Sequence, residues 1–499
     1  MTSSLQEYIK IVMANVNSVL KLTDFSYNQK EFKNIGQNYF GIVMPVVVSG
    51  EDKGIKVTLS LVLKLAPTDE RYRVSGAVTR MFAREMYVYS TLLTNYRKFL
   101  LDYPSDLQYA SPKCYYICED FCKEVIVMQN MCAEGYKTYV NKVFLDHDHM
   151  IESLKALAIF HSLSFVLNER DPSHYDEAAK MFPPLVEKYN KRFVEVILDR
   201  LEKVIELFEN TEYLTLLTEL KTNLVKYLEA ATLSTWKLCI CHGDVWKENI
   251  LFKYENHKPV SACLIDYQTT RICSVAFDTL YLITISSDTN LRRAHYKNFL
   301  DIHYEQLAKA LRSAGIDPDL TYSRSMFDDD LNTVAPACFI VANTALWLSN
   351  GLQEEGHVRS KQVFKTQEEK TEAVLNFKIV VQNIIDDYKS YGYFPNNDLR
   401  SARGIHLMDL LTKESLGIDL LVDRKLVNES FSLDPRILRS HSKEEKRYPG
   451  AGDRKSTGKA TERKKTKTGV RDALHTAEDR NKWKAIVYKI IPGGHDPQQ

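Results

Sequence analysis

Asp244 and Asn249 stand five residues apart in Cys239-Ile240-Cys241-His242-Gly243-Asp244-Val245-Trp246-Lys247-Glu248-Asn249-Ile250-Leu251-Phe252, and a second acid follows in Leu264-Ile265-Asp266-Tyr267-Gln268. Three hard oxygen donors are too few to fill a cation's coordination shell. They leave room for water and phosphate oxygens, which is how Mg²⁺ binds together with a nucleotide. The remaining carboxylate can orient and deprotonate an attacking hydroxyl. Asp-x-x-x-x-Asn alone is a common string; the second Asp and the His-Gly ahead of the first give it the layout of kinase-type phosphoryl transfer. His242 reads as a hydrogen bonder that fixes this loop.

A fold-back is needed to gather these groups. Residues 250–254 and 260–265 read as strands, with a turn at 255–259. A hairpin centred near His257 and Lys258 sets Asn249 opposite Asp266, with Asp244 in the loop that enters the first strand.

Such a site also needs a lysine for the α- and β-phosphates and a helix glutamate to position it. In residues 57–65, VTLSLVLKL, the odd positions are apolar, so period two puts Lys64 on the face opposite the main core. A helix is expected near 78–93, where Val78, Phe82, Glu85, Tyr89 and Leu92 follow helical spacing. Glu85 therefore faces inward, which is costly unless it is paired, and Lys64 is the natural partner. The alternative to that pair is Arg84, on an adjacent face, as the exposed member of an ordinary salt bridge. Upstream, 33–48 reads as strand–loop–strand with Gly36 and Gly41, glycines that let backbone N–H groups approach phosphates.

The rest of the chain sets limits. Its 499 residues give a soft prior of about three domains. With 66 basic and 65 acidic residues, a net charge of +1, 44% hydrophobic and 26% charged, it has the profile of a soluble globular protein. That balance argues against a dedicated nucleic-acid binder. No secretory signal is expected, and apolar runs such as 41–48 fall short of a membrane span, so no membrane partner is expected. Nine cysteines, sparse and odd in number, suggest a reducing cytosol. Cys114, Cys118, Cys122 and Cys132 lack the tight spacing of a zinc site. His147-Asp148-His149 reads as a polar helix-cap region, and 334–348 as a buried core helix, with lining of a lipophilic acceptor pocket as the alternative.

A β-rich front and a helical back suggest two lobes: 1–130 as the N-lobe and 131–395 as the C-lobe. Residues 443–467 hold ten Lys/Arg against four Asp/Glu and almost nothing apolar. We expect 396–499 to be an appended, largely disordered, dispensable tail. The terminal EDRNKWKAIV resembles the ends of retroelement-derived reading frames.

The His242–Phe252 and Leu264–Gln268 motifs closely resemble the ecdysteroid kinase-like family of insects, which belongs with the choline kinase and aminoglycoside phosphotransferase group. Supporting matches are LKALAIFH at 154–161, Asp278-Thr279-Leu280-Tyr281, and 388–394; the likeness extends over about residues 20–395. The resemblance implies an α+β, bilobal protein-kinase-like fold. It implies transfer of the γ-phosphoryl of ATP, with Mg²⁺, to a hydroxyl of a small molecule such as an ecdysteroid or toxic plant compound. Asp244 would be the catalytic base, Asn249 and Asp266 the Mg²⁺ ligands, and Lys64 with Glu85 the phosphate anchor. Asp278 would brace the catalytic loop. Tyr267 replaces the family's usual Phe, Gln129-Asn130 stands where Glu-Asp is common, and Trp246 occupies the place of the protein-kinase lysine. A choline- or aminoglycoside-type acceptor, a pseudokinase, or nucleic-acid binding through the tail are the rival readings; a monomer is expected.

Overall fold

The computed structural model describes residues 3–394 apart from 30–40, 69, 71–72, 74–76, 141–142, 351, 353–363 and 365. Gly36, most of the loop before Gly41, and the expected tail lie outside the described residues. The chain divides into two compact units, Met1–Asn15 with Ile418–Gln499, and Val16–Gly417. Of the first, the described part is the start of helix α1 (Ser3–Leu20). All that follows concerns the second.

Short runs of β-branched residues build an antiparallel sheet from β1 (Thr23–Gln29), β2 (Ile42–Asp52), β3 (Ile55–Leu65), β4 (Cys114–Cys118) and β5 (Val125–Gln129), in the order β1-β2-β3-β5-β4. The β2–β3 turn is Lys53-Gly54, both at positive φ (51° and 81°), the geometry of a tight two-residue hairpin. Register places Lys64 between Val43 and Ile126. Its face, shared with Val62, Ile126 and Met128, joins the large core on which α2 (Val78–Tyr87) packs. The expectation that Lys64 points away from the main core is thus reversed. Period two separates the faces of a strand but does not say which face meets the larger core.

Helix α2 continues through a π-helical turn (Val88–Leu92) into α3 (Leu93–Leu100). The back half is helical around α4 (His147–Arg170), whose N-cap Asp146 accepts from the His149 N–H. After α5 (Pro172–Met181), α6 (Glu187–Leu207), α7 (Leu214–Thr222) and α8 (Leu224–Leu233) come two small sheets. One pairs β7 (Cys239–Cys241) with β10 (Arg271–Cys273); the other orders β6 (Tyr136–Thr138), β8 (Ile250–Glu255) and β9 (Lys258–Leu264). Helix α9 (Val275–Ser286) is buried along its whole length. It is followed by α10 (Thr289–Ser313), α11 (Pro318–Thr321), α12 (Arg324–Ser349) and α13 (Gln367–Ser390). This is an α+β architecture, with a five-stranded antiparallel sheet in the front half and a mostly helical back half.

Contrary to the count of uncharged runs, two helical stretches, His147–Arg170 and Pro318–Ser349, are long and apolar enough to cross a membrane. Their apolar windows are 83% and 72% buried inside the protein, so core packing accounts for that surface. The 334–348 segment lies within the second and is mostly core.

The β8–β9 hairpin also differs from expectation. Its turn is Asn256-His257, both at positive φ (49° and 64°), one residue earlier than the expected centre. Lys258 and Pro259 are drawn into β9, where Pro is tolerated because β9 is an edge strand. A register shift after Lys253 then pairs Ile250 with Leu264. Asn249 consequently faces Ile265, whose N–H donates to the Asn249 carbonyl at 3.0 Å, and Asp266 comes one residue further on.

Candidate active site

Lys64, Glu85 and Asp266 meet from β3, α2 and the end of the β8–β9 hairpin. The Lys64 Nζ lies 2.6 Å from Glu85 Oε2 and 2.7 Å from Asp266 Oδ1. Burial opposes the ammonium charge, but Asp266 and Glu85 together hold Lys64 above its ordinary value. Burial pushes Glu85 upward, with Lys64 pulling against it.

The backbone of Asp266 is left-handed (φ 67°), so the chain leaves β9 by a sharp turn. That turn is held from the other lobe. Tyr89, in the π-helical turn, accepts the Asp266 N–H at 3.3 Å and sets its ring edge-on to Tyr267 at 5.4 Å. π-turns of this kind commonly mark functional sites. Tyr267 bonds Tyr109 hydroxyl to hydroxyl at 2.5 Å and donates to the Leu264 carbonyl at 3.1 Å. Its hydroxyl thus gives the turn two ties that a Phe at this position could not make.

Residues 242–244 hang on Asp278, the fourth residue of α9. Its fully buried carboxylate accepts the His242 N–H at 2.6 Å and the Gly243 N–H at 3.2 Å, and lies 3.4 Å from His161 Nε2. Burial alone would raise Asp278; His161, with His242 and Arg271, holds it below its ordinary value. His242 Nε2 meets the Ile265 carbonyl at 3.0 Å, and its Nδ1 accepts the Asp244 N–H at 3.3 Å, which defines one neutral tautomer. Burial keeps its pKa low. One imidazole therefore ties the Asp244 loop to the strand that leads to Asp266.

Gly243 has φ +85°, and a Cβ there would lie 2.2 Å from the Thr269 carbonyl and 2.6 Å from Arg271 Nε. No other residue fits. Asp244 is half-buried. Asn249 Nδ2 donates to its carbonyl at 2.9 Å and its carboxylate at 3.1 Å, and the Tyr281 hydroxyl donates at 3.4 Å. Burial and the Asp266 charge push Asp244 up to about 7.

The donor chemistry fits Mg²⁺. Asn249 spends its NH₂ on Asp244, leaving its amide oxygen free, and Asp266 has spent one carboxylate oxygen on Lys64. Glu85, Asp266 and Asp244 outnumber the one lysine among them, an excess of negative charge that a divalent cation offsets.

Of the remaining expected residues, Gly41 is close-packed on its own protein. A Cβ there would lie 2.5 Å from the Leu65 carbonyl and 3.5 Å from Phe82, a packing reason for glycine. Gly36 lies outside the described residues. Arg84 is 8% exposed and has no salt-bridge partner among the described residues, which sets aside the alternative of an exposed Arg84 ion pair in favour of Lys64–Glu85. It shares the inward side of an amphipathic helix only one residue wide of Glu85. Trp246 is buried with no acceptor for its indole N–H. Lys247 pairs with Glu248 at 2.9 Å.

Sequence reasoning missed Arg271 and Tyr109, for which no spacing signal exists, and quoted His161 in the 154–161 motif without giving it a role. Tyr281 could have been found, since it sits three residues after Asp278 on the same helical side. Beneath the loop, His161, Cys239 and Cys241 bring three ligand-type atoms within 4.8 Å of one another. Both His161 nitrogens are already engaged, by His303 at 3.2 Å and by Asp278, so this group braces the core.

The model of the ecdysteroid kinase-like family matches residues 35–316, more than half of the chain and all of the site just described. The chain belongs to the ecdysteroid kinase-like family. No curated protein sequence matches it. Solved structures similar to this ecdysteroid kinase-like chain include an ethanolamine kinase of Plasmodium vivax, 13% identical over 78% of this chain and 91% of that chain, TM-score 0.40. A choline kinase from Streptococcus pneumoniae is 10% identical over 76% and 99%, TM-score 0.36. The GDP complex of an aminoglycoside 2'-phosphotransferase is 13% identical over 76% and 98%, TM-score 0.36.

Proposed function

We propose that the protein is an ATP- and Mg²⁺-dependent kinase that phosphorylates a hydroxyl of an ecdysteroid or similar lipophilic acceptor. The observation that carries this reading is the convergence of Lys64, Glu85 and Asp266 with the Asp244–Asn249 pair, five residues drawn from four separate places in the chain.

Lys64 exchanges its Asp266 contact for phosphate oxygens when nucleotide binds, while Glu85 keeps it in place. Adenine lies against the apolar cluster of Met131, Tyr136, Leu251 and Cys263 that follows the last strand of the five-stranded sheet. Asn249 and Asp266 would hold Mg²⁺, which would supply neutralisation of charge on the phosphate oxygens. The acceptor oxygen attacks the γ-phosphorus as the bond to the bridging oxygen breaks, and ADP leaves with that electron pair. The hydroxyl proton passes to Asp244, whose carboxylate Asn249 and Tyr281 aim; a pKa of about 7 suits a base near neutrality. The indole N–H of Trp246 is a donor left for the substrate. The acceptor class rests on membership of the ecdysteroid kinase-like family, since Phe277 and the apolar side of α12 belong to the core. The nine free cysteines, with Cys239 and Cys241 not disulfide-bonded at a sulfur separation of 3.5 Å, suit a reducing cytosol, and we take the working form to be a monomer.

ATP turnover with Mg²⁺ against a panel of ecdysteroids, phenolic glycosides and choline tests this. Turnover confined to the first two classes is expected; preference for choline would replace the acceptor assignment, and no turnover with any would remove the catalytic one.

A further inference from the structure

Arg84 and Arg271 are two arginines around the site with no carboxylate bound to either among the described residues. Arg84 precedes Glu85 on α2, and Arg271 opens β10; they are 8% and 5% exposed. Arg271 donates one N–H to the Gly243 carbonyl. Its Nε has no partner, and neither does the Nε of Arg84. No carboxylate pairs with either among the described residues. The charges that act on Arg84 are Arg271 and Arg80, both repulsive, and with burial they bring it down to about 10. On the same short segment, Gln268 Oε1, Thr269 Oγ1 and Thr270 Oγ1 are also buried without hydrogen bonds.

An unpaired buried guanidinium costs several kcal/mol, and a second like charge beside it adds to that. Each guanidinium presents N–H groups in a fixed fork suited to an oxyanion. The pair sits where α2 packs on the turn that follows Asp266, next to the Gly243 carbonyl that precedes Asp244.

We propose that Arg84 and Arg271 form a binding site for a tetrahedral oxyanion, phosphate or sulfate in chemistry, separate from the nucleotide phosphates. The anion ties α2, and with it Glu85, to the catalytic loop at Gly243. The binding claim does not depend on the kinase reading; its effect on turnover rests on that reading.

The test uses the full chain without nucleotide or acceptor. Its melting temperature is followed as sodium sulfate or phosphate is added at ionic strength held constant with sodium chloride. A saturable rise with the oxyanion and none with chloride is expected. Arg84→Gln is expected to weaken the oxyanion by about tenfold or more, the worth of one charge-assisted hydrogen bond. Because Arg84 holds no other group among the described residues, this variant should melt no lower than wild type in oxyanion-free buffer, an outcome a structural arginine would not give. No saturable rise, or a rise that Arg84→Gln leaves intact, overturns the site. So does loss of sulfate binding when a non-hydrolysable ATP analogue and Mg²⁺ saturate the nucleotide site. Competition between sulfate and a sulfated alcohol, with the neutral alcohol as control, assigns the anion to the acceptor; its absence assigns it to free oxyanion. Failure of every acceptor in the kinase panel leaves these measurements untouched.

Discussion

Lys64 is the residue on which the two lobes meet, because its ammonium holds one carboxylate from each at 2.6 and 2.7 Å. Removing it leaves Glu85 and Asp266 facing each other without a cation. Removing Glu85 leaves Lys64 with Asp266. Breaking a buried pair costs about 3–5 kcal/mol when a charge is stranded. Lys64→Met is therefore expected to lower the melting temperature more than Glu85→Gln, and to weaken nucleotide binding more as well. Differential scanning calorimetry and nucleotide titration of both variants check the order; the reverse order would contradict this geometry. The pairing of Lys64 with Glu85 was legible in the sequence because an inward acid on a helix demands a cation, and period two offered one. Arg84 was not legible. Its neighbour's helical position said which side it occupies but not that the turn after Asp266 covers it.

At the scale of elements, the catalytic loop is a suspended structure. Asp278 grips the N–H groups of His242 and Gly243, His242 reaches across to Ile265, and Arg271 holds the Gly243 carbonyl. The loop can pass through this crowd because Gly243 has a positive φ and no side chain. Gly243→Ala is expected to cost at least about 1–2 kcal/mol from backbone conformation alone, with more from the clash at the Thr269 carbonyl. Urea unfolding and turnover should both fall; a variant with unchanged stability would mean the loop is not held as described. The hairpin was legible as a hairpin, but its register was not. Asn256 and His257 carry no Gly to announce positive φ, and the shift after Lys253 leaves no compositional trace. The site survives the error because Asp266 turns sharply in αL and recovers the position that a simple ladder would have given one residue earlier.

For the whole molecule, buried titratable groups pull stability in opposite directions with pH. Burial lowers the pKa of His242, and of His303 well below 6.5, so the unfolded chain takes up these protons first as pH falls. Their contribution is complete above pH 6.5 and is lost below it. Asp244 runs the other way. Raised to about 7, it favours the folded state at low pH and loses that contribution as pH rises from about 4 through 7. In Mg²⁺-free buffer, His303→Phe should therefore lose less melting temperature than wild type between pH 7 and 5. Asp244→Asn should gain relative to wild type as pH rises through 7. Melting curves across that range check both signs. The division into a sheet-rich front and a helical back was legible at this scale from periodicity. The edge strands β1 and β4 were not, since Thr23–Gln29 is largely polar and Cys114–Cys118 is half-buried throughout.

The central claim is that Asp244 removes the proton of an acceptor hydroxyl beside a nucleotide held by other residues. Single-turnover phosphoryl transfer by Asp244→Asn, with nucleotide affinity measured on the same sample, tests it most directly. The expected result is a rate lower by about 10²–10⁴-fold with affinity for MgATP unchanged within about twofold. A variant that transfers phosphate at the wild-type rate, or that loses its nucleotide in step with its activity, would contradict it.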